Sequence, residues 1–171
     1  MTYPAPTGRP ILQSSCALAT TATEAGYRID ARVESRPGAR VVALDDDAAT
    51  LVRRIARDEW AAARFYALDA GRGERPLLRR TSGAPAELAD EIATADVVVM
   101  VATARAGRDA ADAAAGIGQA CAERGVMTAG VVLGEDRDTA PTVHALRPYA
   151  RVLLVGAAPT DLTDLLTAIR A

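Results

Sequence analysis

From Arg40 onward, short runs rich in Val, Leu and Met alternate with alanine-rich stretches at helical spacing, and this alternation constrains the fold more than any other feature. Residues 40–44, 63–68, 96–102, 127–133 and 151–155 read as strands, and residues 47–57, 84–95, 109–124, 141–147 and 160–170 as helices. Three of the strand runs are almost continuously apolar, the mark of strands covered on both faces. The punctuation agrees. Gly125 follows the arginine that ends the long helix, Pro141 falls in a first turn, and Pro148 stops the same helix. Strands joined by helices need right-handed crossovers, so the expectation is an α/β domain. Its core is a three-layer, Rossmann-like parallel sheet of about five strands in the order 2-1-3-4-5, with helices on both faces.

Residues 71–83 are rich in Gly, Arg and Pro and read as a surface connection; Pro76-Leu77-Leu78 within it suggests an edge strand, against which the prolines and glycines argue. The domain is expected over residues 37–171, preceded by an arm, residues 1–36, with one short helix within 11–33. No repeat and no apolar run of membrane-spanning length occurs in the sequence. The first ten residues lack the layout of a secretory signal, and a glutamine before Cys16 speaks against lipid attachment there. Cys16 and Cys121 lie far apart without metal-ligand spacing, which points to reduced thiols and a cytoplasmic protein.

A net charge of -2 gives no electrostatic reason to expect a nucleic acid or membrane partner. All 20 basic residues are arginine, which excludes Schiff-base chemistry and a phosphate-loop lysine. With 39 alanines and 4% aromatics, the core is built of small side chains and depends on close backbone approach.

In an open parallel sheet, ligands bind beyond the carboxyl ends of the strands where the strand order reverses. The loops expected there follow the first and third strands. The first carries Asp45, Asp46, Asp47 and, one turn on, Thr50; the second carries Thr103, Arg105, Gly107 and Arg108. A phosphate cradle needs glycines and a helix start free of negative charge. The first loop has no glycine and three carboxylates, which stabilise the helix dipole themselves and repel phosphate. One of them acts as an N-cap with the others solvated, or together they hold Mg²⁺. The second loop keeps one glycine, with Arg105 and Arg108 either solvated or gripping an anion through their guanidinium forks.

On these residues the sequence resembles the nucleotide-binding domain of FtsZ and tubulin-like GTPases, from about Arg40 to Leu166. Val41-Val42-Ala43-Leu44 and the aspartates stand where that family has its first strand and glycine-rich loop; residues 63–69 resemble its second strand, ending in an acid. Residues 95–102 resemble the strand leading into the family's GGGTGTG phosphate loop, here reduced to residues 104–110 with a single glycine. Residues 122–132 match the following helix and strand, and residues 146–155 with Pro159-Thr160-Asp161-Leu162 the strand and turn that open the family's central helix. Because the sequence ends at Ala171, the resemblance leaves the family's water-activating acidic loop and C-terminal domain without a counterpart. It therefore implies a shortened, degenerate scaffold that has lost GTP hydrolysis and nucleotide binding. Its role would be interaction or regulation, with a tubulin-like protein or a second copy as partner and no cofactor. Bound GTP or Mg²⁺ stands as the alternative.

Two rival readings share the fold. A receiver domain has an acidic pair after its first strand, but here the third strand ends in Ala102-Thr103 and no lysine exists, which leaves a phosphorylation-independent receiver. An enzyme would have to use His144 or Cys121, and neither has a visible catalytic partner; Cys121 reads as core. Gly116 and Gly118 imitate part of a dinucleotide fingerprint but sit within a helix, where close packing on the sheet explains them better.

Overall fold

A computed structural model describes residues 38–69, 77–134 and 139–171, all within one compact unit, Ser35–Ala171. The expected arm helix and Cys16 lie outside the described residues. Five strands, β1 (Ala39–Ala43), β2 (Arg64–Asp69), β5 (Val97–Thr103), β6 (Met127–Leu133) and β7 (Val152–Ala157), pair in parallel. Two more, β3 (Leu77–Arg80) and β4 (Pro85–Ala86), add antiparallel beyond β2. The sheet is therefore mixed, with seven strands in the order β4-β3-β2-β1-β5-β6-β7. The α/β class holds, but the expectation of about five strands, all parallel and with nothing beyond the second, is corrected.

The added hairpin has a physical cause. Leu78 is buried in the same apolar cluster as Tyr66 of β2, so this largely exposed segment has one side chain that goes inside. Pairing of Pro85 and Ala86 with Arg79 and Leu78 also shortens the following helix, expected over residues 84–95, to α2 (Leu88–Ala93).

Helices α1 (Asp46–Ile55), α3 (Arg108–Arg124), α4 (Ala140–Leu146) and α5 (Pro159–Ala168) complete the described chain. Two apolar clusters divide them between the faces of the sheet. On one face Val41, Val99 and Val131 meet Val52 and Ile55 of α1 and Leu162 and Leu166 of α5. On the other, Val42, Tyr66 and Met100 meet Ile92 of α2, Ile117 and Cys121 of α3, and Leu146 of α4. Alternate residues of β1 and β5 thus serve opposite cores, as their nearly unbroken apolar runs require.

Local signals set the helix limits. Asp45 caps α1, Gly125 ends α3 in the left-handed region at φ 68°, and proline opens both α4 and α5. The Asp161 carboxylate reaches back to the Ala158 N–H at 2.7 Å and closes the first turn of α5. On β7, Gly156 at φ 71° lies at a register irregularity between β6 and β7, and the strand runs on to Ala157, past the expected end at residue 155.

Small residues let the layers approach, and Gly118 shows how closely. A methyl group there would lie 2.4 Å from Tyr149 Cβ, in the turn after α4, so this glycine packs helix against turn where packing on the sheet was expected. In an open helix, alanine is favoured over glycine by about 1 kcal/mol. The clash reverses the sign: Gly118→Ala is expected to destabilise the fold by about 2 kcal/mol. Urea unfolding should show a lower midpoint at unchanged slope, and a gain in stability would contradict this account of the packing.

Candidate functional site

The strand order places the reversal between β1, whose next strand β2 lies to one side, and β5, which lies to the other. The loops leaving these two strands meet there. Asp45, in extended conformation at φ -142°, accepts the Ala48 N–H on Oδ1 at 2.8 Å and the Thr103 N–H on Oδ2 at 2.7 Å. One carboxylate thus caps α1 and fastens its opening turn to the end of β5. Leu44 N–H bonds the Val101 carbonyl at 2.8 Å just below.

The second loop is pinned as well. Ala104 donates its N–H to Leu133 O at 3.2 Å, and its own carbonyl accepts the buried Thr142 hydroxyl of α4 at 3.0 Å. Thr142 was not among the expected site residues, and no local pattern marks a threonine that reaches a carbonyl 38 residues away.

The remaining candidates lie on the surface of the two loops and helix starts. Asp46 and Asp47 are exposed in the first turn of α1, and the exposed Thr50 hydroxyl bonds the Asp46 carbonyl at 3.1 Å. Arg105 is exposed in the turn after β5, Gly107 is the N-cap of α3 without a side-chain cap, and Arg108 is the exposed first residue of that helix. Asp45 and Thr103 are joined across the crevice by a direct hydrogen bond. Among the described residues, no group of three or more His, Cys, Asp or Glu side chains is placed to hold a metal ion. His144 is exposed on α4, while Cys121 is core, its thiol pushed up to about 11 by burial, which the Arg124 charge partly offsets.

A second polar constellation, which sequence reasoning missed, lies at the other end of the same strands. Arg40 of β1 pairs with Arg64 of β2, Arg80 of β3 pairs with Tyr66 of β2, and the three arginines converge on Glu91 of α2. Arg40 and Glu91 are 3% and 5% exposed. The Glu91 carboxylate takes Arg80 at 2.6 Å and Arg64 at 3.2 Å, and Arg40 Nε approaches to 3.3 Å as an ion pair without hydrogen-bond geometry. Arg40 spends its other nitrogens on Gly38 O at 2.9 Å and on Thr94 O and Oγ1 at 2.7 and 2.9 Å.

The Tyr66 hydroxyl is buried beside Glu91, near enough to favour the ionised carboxylate but without the geometry of a formed hydrogen bond. Burial and the neighbouring negative charge raise the phenol well above its ordinary value. For Glu91, burial opposes ionisation, but Tyr66, Arg80 and Arg64 outweigh it, and the net shift is downward. The signal available in the sequence was an arginine inside an otherwise apolar strand, which needs a carboxylate partner once both faces are covered.

Two measurements check these placements. Asp45→Ala strands two N–H donors and is expected to cost about 2 kcal/mol, whereas Asp46→Ala or Asp47→Ala should change stability by no more than about 0.5 kcal/mol. Equal losses at all three positions would refute the special role of Asp45. The lowered Glu91 value means that its contribution is present above the ordinary carboxyl value of 4.5 and is lost as pH falls below it. Glu91→Gln should therefore cost about 3 kcal/mol at neutral pH and flatten the loss of stability in acid, read by urea unfolding across pH.

The chain matches no protein-family model and no curated protein sequence.

Proposed function

We propose that this chain is a non-catalytic interaction or regulatory module on a degenerate tubulin-like, nucleotide-binding-type scaffold, docking to a tubulin-like protein or to a second copy of itself. The observation that carries this reading is the double use of Asp45. A helix start at the switch point of an α/β sheet is where a phosphate is normally held by backbone N–H groups. Here the chain supplies the anion itself. Ala48 N–H and Thr103 N–H are already bonded to Asp45, and Asp46 and Asp47 add negative charge to the same turn. An incoming triphosphate would have to displace a tethered carboxylate and enter a field of its own sign.

Support for interaction comes from the end of the sheet formed by β7. This strand closes the strand order, so among the described residues no strand pairs with its outer edge, and Val152 and Val155 are exposed along it. A strand edge without a partner among the described residues and bearing β-branched side chains is suited to pairing with another chain. A phosphorylation-independent receiver has less in its favour, because the third parallel strand ends in Thr103, whose N–H is taken by Asp45.

Calorimetric titration with GTP and GDP, with and without Mg²⁺, is expected to give no saturable heat. Tight nucleotide binding would overturn the reading. Light scattering against concentration, and pelleting with a tubulin-like polymer, should show self-association or altered polymer mass. Val152→Lys with Val155→Lys should abolish that effect, and an inert protein in both assays would equally refute the proposal.

A further inference from the structure

Away from the switch point, a cleft of about 370 Å³ opens between the segment following α1 and the tip of the β3–β4 hairpin. Its origin lies in the pairing register. The last paired residues of β2 and β3 are Tyr66 and Arg80. Thr81 N–H still bonds Phe65 O at 3.1 Å, and the chain then turns away, with Gly83 N–H on Arg80 O at 2.7 Å. The start of β2 is left bordering open space. Arg64, Arg80, Thr81 and Ser82 line the cleft on this side, with Trp60 and Asp58 among the residues opposite.

Charge decides what such a cleft can hold. Arg40, Arg64 and Arg80 bring three positive charges to one carboxylate, Glu91, an excess of two; counting Asp58 as well leaves an excess of one. Arg40 is buried and spends its nitrogens on the protein, so the surplus resides on Arg64 and Arg80, whose side chains are 53% and 46% exposed. Each gives one guanidinium nitrogen to Glu91. A guanidinium has five N–H donors in a fork that matches a phosphate or carboxylate edge. The hydroxyls of Thr81 and Ser82 add further donors. Trp60 is anchored by its indole N–H on Ile55 O at 2.9 Å and leans on Phe65, ring centroids 5.8 Å apart, giving a rigid apolar wall.

We infer that this cleft binds a small phosphate monoester carried on a flat apolar body, the phosphate between Arg64 and Arg80 and the ring against Trp60. The volume falls within the range of small-ligand sites. Phosphate is favoured over carboxylate because two guanidinium forks and two hydroxyls offer more donors than two oxygens can accept.

Trp60 is the only tryptophan, so its fluorescence reports on the cleft directly. Titration with phenyl phosphate should give a saturable change that inorganic phosphate competes away, that weakens with added salt, and that benzoate reproduces only at higher concentration. Arg64→Gln should weaken phenyl phosphate binding about tenfold, and Asp58→Asn, which removes the opposing charge, should tighten it. Far-UV circular dichroism on both variants separates loss of binding from loss of fold. Absence of a saturable change in the folded wild-type chain, an unchanged affinity in Arg64→Gln, or benzoate binding as tightly as phenyl phosphate would each overturn the assignment.

Discussion

The hydrogen-bonded bridge from Asp45 is the constraint on which the switch-point end of this molecule depends. Its two oxygens join the first turn of α1 to the end of β5, and the bonds from Leu44 to Val101, Ala104 to Leu133 and Thr142 to Ala104 extend the rim across β6 to α4. A tethered carboxylate satisfies the positive end of a helix without the loss of translational freedom that a free anion suffers on binding. The same physics that makes a helix start attractive to phosphate is here turned inward and holds loops together.

At the opposite end of the strands, charge holds the structure where apolar area is scarce. Helix α2 has only six residues and no side-chain cap at its start, far short of what a helix needs alone. Ile92 anchors it in the core, Glu91 ties it to three strands, and the Arg40 guanidinium sits on the Thr94 carbonyl at its C-terminal end, where a cation complements the helix dipole. A core rich in alanine buries little area per residue, so a short helix at its margin gains from ionic anchors. The arrangement also leaves an excess of positive charge beside an open cleft, a by-product of pairing three arginines with one glutamate.

Much of the scaffold was legible in the chain because it is dictated locally. Apolar runs buried on both faces produced β1 and β5, Gly125 and Pro141 marked helix limits, and Cys121 on an alanine-rich helix proved to be core. The hairpin β3–β4 was legible only as an edge strand suggested at Leu77-Leu78 and argued against by the prolines and glycines, because its strand pattern rests on a single buried side chain, Leu78. The candidate site was legible only as a place: the two loops were identified, but not which of their residues meet.

The sequence by itself determined the α/β alternation, the small-residue core and the absence of glycine from the loop after β1, since periodicity and composition follow from residue types alone. Only the tertiary structure decided which of three consecutive aspartates turns inward. Asp45, Asp46 and Asp47 are chemically identical, and Asp45 differs because the Thr103 N–H, 58 residues on, comes within 2.7 Å of it. The cluster around Glu91 was decided in the same way. Its partners lie 11 to 51 residues from it in the chain, and a guanidinium is drawn to a carboxylate by distance in space, which no local pattern records.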